Sequence, residues 1–291
     1  MRKGNTNRNT NKSTNRTTKK VISAILAIVL LVCVILMIFH AVRRKQEEAV
    51  YENMRETAVS AERAEPETTE AAGSTEAADS TETAANTYEG LPEVDFQTLK
   101  ETNTDICAWI CIPGTQVNYP VLRREEAQNP YDDYYLQHTV EKAAGLPGAI
   151  YMEPCNAADF CDANTVLYGH NMKNGTMFGS LHEFENDAFF DAHEDVYVVT
   201  PEKTFVYRIY AAVTYSDLHI MGSYDFDSAA DLERFADSLK EGRSMTDLFR
   251  EELEVTAQDK LLTLSTCIKG EDDKRFLVVA VLTDEVLADE N

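Results

Sequence analysis

A cysteine and an arginine stand on either side of a short polar loop near the C-terminus. The run "KLLTLST" ends at Cys267, and Arg275 opens the apolar run "RFLVVAVL" eight positions later. A cysteine thiolate is a strong nucleophile, and a guanidinium can hydrogen-bond a developing oxyanion. Taken singly, Cys267 is more often a core residue and Arg275 more often the partner of a nearby acid. The pair therefore indicates catalysis only if a base accompanies it.

One histidine lies where a base would face a cleft. His170 follows the strand-like run "TVLY" and Gly169, and a turn-rich stretch comes after it. The other five histidines look like surface or membrane-edge residues: His40, His138, His182, His193 and His219. A strand-tip histidine, a strand-tip cysteine and an arginine one loop further favour a nucleophilic cysteine with an acid/base partner. No residue that orients His170 is evident from the sequence.

Charge and cysteine spacing exclude several classes of site. The chain of 291 residues has 27 Lys and Arg against 50 Asp and Glu, a net charge of -23. Phosphate binding needs clustered cations, so nucleic acid is excluded as a partner. Cys155 and Cys161 do not have the spacing of a zinc site, although a disulfide between them remains open. Cys107 and Cys111 are too far apart on a strand to pair, and are expected in the core.

The N-terminal region has the pattern of a membrane anchor. Residues 1–20 are basic without any acid, and residues 21–39 form an uncharged apolar run long enough to cross the ~30 Å hydrocarbon core. The basic tail predicts a cytoplasmic N-terminus and a catalytic domain outside the cell. A cleaved signal peptide is the alternative, but its apolar region is usually shorter, about 7–15 residues.

An acidic stalk and one folded domain are expected after the anchor. Residues 40–87 are assigned to a disordered stalk, since residues 65–87 contain no aromatic residue and no Leu, Ile or Val. Residues 46–60 could instead extend the membrane helix. The catalytic domain is assigned to residues 88–291.

Within that domain, many short strand-like runs separated by Gly, Pro, Asn and Asp predict a mainly β barrel or sandwich. "VDFQTLKETN" predicts a short helix near its start. A second helix is predicted over residues 228–241, with Ser228 and Asp231 as a capping box. Its apolar stripe is expected to pack on the barrel: Leu232, Phe235, Ala236 and Leu239.

Three segments together resemble the sortase family, and specifically its class B. They are "TLSTC" followed by Arg275, "NTVLYGHNMKNGTMFGSL", and "WICIPGTQVNYPVL". The resemblance covers residues 93–284, and an N-terminal anchor and stalk fit it. It implies a closed, mostly antiparallel eight-stranded β-barrel. N-terminal helices and a helix in the connection before the cysteine strand are also implied.

The resemblance further implies a cysteine transpeptidase on the surface of a Gram-positive-type bacterium. Sortases cleave the sorting signal of a secreted protein after Thr, hold the acyl group as a thioester, and pass it to an amine. By motif match, Cys267 is the nucleophile, His170 the acid/base, and Arg275 the group that orients substrate and stabilises the oxyanion. This chemistry needs no metal and no organic cofactor.

A substrate groove is implied beside the cysteine. Three residues match groove-lining positions of class B: Asn118, Leu122 and Ser265. Leu264 is expected to point into the barrel, and Thr266 to line the groove mouth with Ser265.

The acceptor of the acyl group remains open within this interpretation. The acceptor is either an amine of a cell-wall precursor, which attaches surface proteins, or a pilin lysine, which polymerises pili. Water as the acceptor would make the protein a hydrolytic cysteine protease. An L,D-transpeptidase is disfavoured because its His-Gly before the cysteine is replaced here by Ser265 and Thr266. A non-catalytic stalked binding module would not need the three catalytic residue types.

Overall fold

The computed structural model describes residues 10–60, 92–127, 129–241 and 244–287. It divides the chain into two compact units, residues 1–50 and residues 51–291. Most of the predicted stalk, including all of residues 65–87, lies outside the described residues. The helices, in chain order, are α1 (Thr10–Ala58), α2 (Phe96–Thr102), α3 (Asp187–Ala192), α4 (Ile220–Ser223) and α5 (Ala229–Ser238).

The first unit contains the apolar part of α1. In the described part of the chain, Lys19–Phe39 is the one helical segment long and apolar enough to cross a membrane. Its large apolar side chains are exposed throughout. Length and composition therefore agree with the predicted span at 21–39, although a signal sequence has the same features.

The second unit begins with the last two turns of α1. The predicted stalk started at residue 40, but residues 40–58 are helical. The sequence "YENMRETA" places Tyr51, Met54 and Ala58 on one face at helical spacing, and all three are buried. Packing of this face, rather than the acidic composition, decides the conformation of residues 51–58.

Strands dominate the rest of this unit. They are β1 (Val59–Ser60), β2 (Glu93–Val94), β3 (Ile106–Cys111), β4 (Asn118–Leu122), β5 (Ile150–Met152), β6 (Asn164–Tyr168), β7 (Asp195–Val199), β8 (Lys203–Ser216), β9 (Leu248–Phe249), β10 (Leu261–Ile268) and β11 (Glu271–Leu287). Strands β1 and β2 form a separate antiparallel pair.

Eight of the described strands close into a barrel. The order is β11-β10-β6-β5-β4-β3-β7-β8, and β8 pairs again with β11 to complete the ring. Strand β9 adds to β8 outside the ring. Most neighbours are antiparallel, but β4 with β5 and β6 with β10 are parallel. The predicted eight-stranded closed barrel is confirmed.

Helix α5 covers one outer face of the barrel, as its sequence pattern predicts. All four residues of its apolar stripe are buried, and three of them, Leu232, Phe235 and Leu239, pack with β8 and β11 side chains such as Val213, Leu277 and Val279. Ser228 is at the N-cap but makes no side-chain cap bond. The Asp231 carboxylate instead accepts from the Asp225 amide at 2.9 Å, so the predicted capping box does not form.

Candidate active site

Cys267 and Arg275 are held opposite each other by the β10–β11 hairpin. The two residues are direct partners in the antiparallel ladder, and the register shifts immediately after Cys267. Paired residues project on the same face of a sheet, so both side chains lie on one face. The Cys267 thiol is free and exposed. One Arg275 Nη1 donates to the carbonyls of Asp272 at 3.0 Å and Lys274 at 2.7 Å.

The loop that carries His170 is fastened to the cysteine strand on both sides of the histidine. The parallel β6–β10 ladder ends at the pair Tyr168 and Ser265. Beyond it, the Gly169 amide donates to Ser265 O at 3.3 Å, and Thr266 Oγ1 donates to Gly169 O at 2.8 Å. The Asn171 side-chain amide then donates to Cys267 O at 2.8 Å. These bonds extend the ladder and bring the His170 loop alongside Cys267.

A backbone carbonyl orients His170. The His170 Nε2 lies 2.6 Å from Leu136 O, at the end of the short 3₁₀ helix Tyr134–Leu136. A carbonyl can only accept, so Nε2 carries the proton and Nδ1 is the free nitrogen of the neutral ring. Sequence inspection found no residue to orient His170, because any residue can supply a carbonyl.

Gly148 leaves room for this arrangement. It has a φ of +69°, and a Cβ there would lie 2.7 Å from Leu136 O and 3.2 Å from His170 Cδ2. A side chain at this position would therefore collide with the carbonyl that orients the histidine.

A second histidine reaches the backbone of Cys267. His182 Nε2 lies 2.9 Å from Asn171 Nδ2 and 3.1 Å from Cys267 O, and its Nδ1 contacts the Glu185 carboxylate. If Nδ1–H donates to Glu185, Nε2 accepts from the Asn171 amide, whose other hydrogen points to Cys267 O. The His182 ring also stacks on Phe276, with centroids 4.8 Å apart. The prediction that His182 is a mere surface residue was wrong.

Two of the three residues predicted to line the groove lie in one row across the barrel wall. Strand pairing aligns Leu122 with Tyr151, Tyr151 with Tyr168, and Tyr168 with Ser265. Ser265 and Cys267 are two residues apart on β10, so their side chains lie on the same face of the sheet. The row is therefore next to Cys267 on that face. Leu122 is fully buried and Ser265 is 4 % exposed, whereas Tyr168 is half-buried. Tyr168 is therefore the residue of this row that a substrate can contact from solvent.

The remaining groove predictions have other surroundings. Asn118, four residues from Leu122 on β4, accepts from Trp109 Nε1 at 2.6 Å. Thr266 was predicted at the groove mouth, but it is 2 % exposed and bonds to Gly169. Side chains alternate along a strand, so Thr266 faces the same way as the buried Leu264.

A buried carboxyl lies behind Tyr168. Glu153 is 2 % exposed, and its carboxyl lies near the Tyr168 hydroxyl. Burial raises the pKa of Glu153 to about 7, the Tyr168 hydroxyl opposes this rise, and Asp132 and Asp133 add to it. His219 Nε2 lies 3.0 Å from Glu153 Oε2, and burial lowers the pKa of that imidazole.

Tyr151, which stacks on Tyr168, lies close to Cys267. Burial and then the Glu153 charge raise the pKa of Tyr151, and the charge of the Cys267 thiolate contributes as well. Tyr151 and Tyr168 stack with ring centroids 5.3 Å apart. The pair therefore forms an aromatic surface beside Cys267.

The part of the chain that forms the barrel matches a known family. A sequence model described as "Sortase domain" matches residues 110–283. The chain belongs to the sortase family.

The similar relatives of this sortase are class B enzymes. It is 31 % identical over 189 residues to "Sortase B" of Staphylococcus aureus, which covers 64 % of the chain and 73 % of that protein. A crystal structure of sortase B from Clostridium perfringens superposes with a TM-score of 0.57 at 28 % identity, covering 65 % of this chain and all of that one. A sortase B–substrate complex from S. aureus gives 0.56 at 28 % identity, covering 65 % and 84 %. The enzyme is a sortase-type cysteine transpeptidase that anchors surface proteins carrying a sorting motif.

Replacement of Asn171 tests the link between the histidine loop and the cysteine strand. Asn171→Ala removes the donor to Cys267 O, and a neutral hydrogen bond contributes about 1 kcal/mol, so transpeptidation should slow by about fivefold. Steady-state kinetics with a sorting peptide measure this. Asn174→Ala, in the same loop, is the matched control and should retain the rate. Equal rates for the two variants would contradict a positioning role for Asn171.

The raised pKa of Glu153 predicts a pH-dependent stability. The Glu153 carboxyl holds its proton more tightly in the folded state than in the unfolded chain, where the pKa of a glutamate carboxyl is 4.5. The protonated carboxyl therefore contributes to the free energy of unfolding below pH 4.5, and this contribution is lost as the pH rises towards about 7. His219 has the opposite effect on stability. Because folding lowers its pKa, its contribution to the free energy of unfolding rises as the pH increases through its ordinary pKa.

Glu153→Gln should therefore flatten the fall in Tm over this pH range. Thermal unfolding between pH 4.5 and pH 7 measures the difference from the unmodified protein. Glu126→Gln, an exposed carboxylate, serves as the control. Parallel Tm curves for Glu153→Gln and the unmodified protein would exclude the buried carboxyl as the cause.

Proposed function

We propose that this sortase cleaves a C-terminal sorting signal after Thr, forms a thioester on Cys267 and transfers the acyl group to a cell-wall amine. The main support is that Cys267 lies between Arg275, its ladder partner, and the loop of His170, which is bonded to the same strand. The residues proposed as nucleophile, acid/base and oxyanion donor thus all lie near one end of β10.

In the first half-reaction, the Cys267 thiolate attacks the Thr carbonyl carbon. The carbonyl oxygen becomes an oxyanion, and Arg275 donates to it. The intermediate collapses, the C–N bond breaks, and the protonated His170 gives its proton to the departing amine. Because Nε2–H is held by Leu136 O, Nδ1 is the nitrogen that exchanges this proton.

In the second half-reaction, an amine attacks the thioester. Neutral His170 removes a proton from that amine through Nδ1, Arg275 again donates to the oxyanion, and the C–S bond breaks to release the Cys267 thiolate. The product is an amide, so atoms and charge balance without any redox partner. Transfer to water instead would give hydrolysis, and transfer to a pilin lysine would give polymerisation.

Arg275 is held by its own hairpin. The two backbone carbonyls that accept from Nη1 leave further N–H groups of the guanidinium for a substrate, since arginine has five donors. This arrangement supports a role at the transition state, when an acceptor of full negative charge appears.

The N-terminal region completes the proposal. Residues 1–20 would lie in the cytoplasm, residues 21–39 would cross the membrane, and the catalytic domain would lie outside. The apolar segment Lys19–Phe39 and the basic residues before it support this orientation. The acidic segment around 65–87 would separate the domain from the bilayer.

Loss of Cys267 should abolish both cleavage and transfer. The full-length protein is incubated with a panel of peptides that contain an internal Thr, with and without an added amine. Cleavage after Thr and an amine-linked product are expected, and Cys267→Ala should show neither. Cys161→Ala, which removes another exposed thiol, should keep full activity. Activity that survives in Cys267→Ala would overturn the assignment, and products identical with and without amine would favour a protease.

Removal of Arg275 should slow turnover more than it weakens binding. Loss of one oxyanion donor typically lowers kcat by about 100-fold or more, so Arg275→Ala should show such a fall with a much smaller change in KM. Arg234→Ala, an exposed arginine paired with Asp231, is the control. An unchanged kcat in Arg275→Ala would remove Arg275 from the mechanism.

A further inference from the structure

The end of α1 contacts the loop beside the candidate acid/base. Tyr51 is 3 % exposed, and its hydroxyl donates to Gly148 O at 2.6 Å. The Tyr51 hydroxyl oxygen also accepts from the Val140 amide at 3.3 Å. One phenol thus ties together the two ends of the loop that runs from residue 140 to residue 148.

Gly148 transmits this contact towards His170. Its backbone lies so close to Leu136 O that an added Cβ would be 2.7 Å away, and His170 Cδ2 would be within 3.2 Å. Leu136 O is the acceptor that holds His170 Nε2. A shift of Gly148 therefore moves the surface against which the carbonyl and the imidazole are packed, because close-packed atoms do not yield independently.

The Tyr51 ring is itself fixed from a second side. It meets Tyr119 edge to face with centroids 5.6 Å apart, and Arg55 lies over the Tyr119 ring at 5.1 Å. Tyr119 Oη accepts from the Met177 amide at 3.1 Å, in the segment that follows His170. Helix α1 thus contacts the loop that precedes β5 directly, and reaches the segment after His170 through Tyr119.

We propose that Tyr51 is a positioning residue for His170, and that the final turns of α1 are a functional part of the catalytic domain. The inference rests on the proposed role of His170 as acid/base. Tyr51 touches neither substrate nor Cys267, and acts by keeping Gly148 and Leu136 where the imidazole is held with Nδ1 free. The catalytic domain then begins at Tyr51 rather than at residue 88.

Tyr51→Phe tests this by deleting the hydroxyl while keeping the ring. Kinetics of the full-length protein in detergent should show kcat reduced by about three- to tenfold with KM changed by less than about twofold, since small displacements of a catalytic group cost rate rather than binding. Tyr207→Phe is the matched control, because Tyr207 is buried and its hydroxyl has no hydrogen-bond partner among the described residues. It should leave kcat unchanged.

A double-variant comparison separates positioning from general destabilisation. In the His170→Ala background, Tyr51→Phe should not reduce the residual rate further, because the group it positions is gone. An equal loss in both backgrounds, or an unchanged kcat in Tyr51→Phe alone, would overturn the proposal. If His170→Ala is inactive but Tyr51→Phe is normal, only the positioning role falls. Full activity in His170→Ala would overturn the acid/base assignment and the positioning role together.

Discussion

The parallel pairing of β6 with β10 is the constraint on which the site depends. It places the end of the histidine strand next to the end of the cysteine strand, although the two lie almost 100 residues apart in sequence. The antiparallel pairing of β10 with β11 then brings Arg275 opposite Cys267 on the other side. Because β10 lies between these two neighbours, the His170 loop approaches Cys267 from one side and Arg275 from the other.

Backbone groups do much of the positioning within this frame. Leu136 O holds His170, Cys267 O is held by the Asn171 amide, and Arg275 donates to carbonyls of its own hairpin. Carbonyls carry no net charge, so Leu136 O fixes the tautomer and ring direction of His170 without a carboxylate partner. Glu185 is linked to the Cys267 carbonyl through His182, which lies within hydrogen-bonding distance of both Asn171 and Cys267 O.

Sequence patterns predicted the elements better than the contacts between them. Period-two runs and turn residues sufficed for a barrel, and the stripe from Leu232 to Leu239 for α5, because burial follows local periodicity. The position of Thr266 was predicted wrongly although the alternation that buries it with Leu264 is visible in the sequence. His182 looked like a surface residue because its partners, Asn171 and Cys267, depend on a long-range strand pairing. Tyr51 was assigned to a stalk because its acidic neighbours outweigh a buried face of only three residues.

Peptide mass spectrometry of enzyme quenched during turnover tests the central claim most directly. A sorting peptide is mixed with the enzyme without an amine acceptor, the reaction is quenched in acid, and the protein is digested. The account predicts a mass increase equal to the acyl fragment on the peptide that contains Cys267, and its disappearance when an amine is added before quenching. Cleavage of the sorting peptide with the acyl fragment on another residue, or with no acylated enzyme even at single turnover, would contradict it.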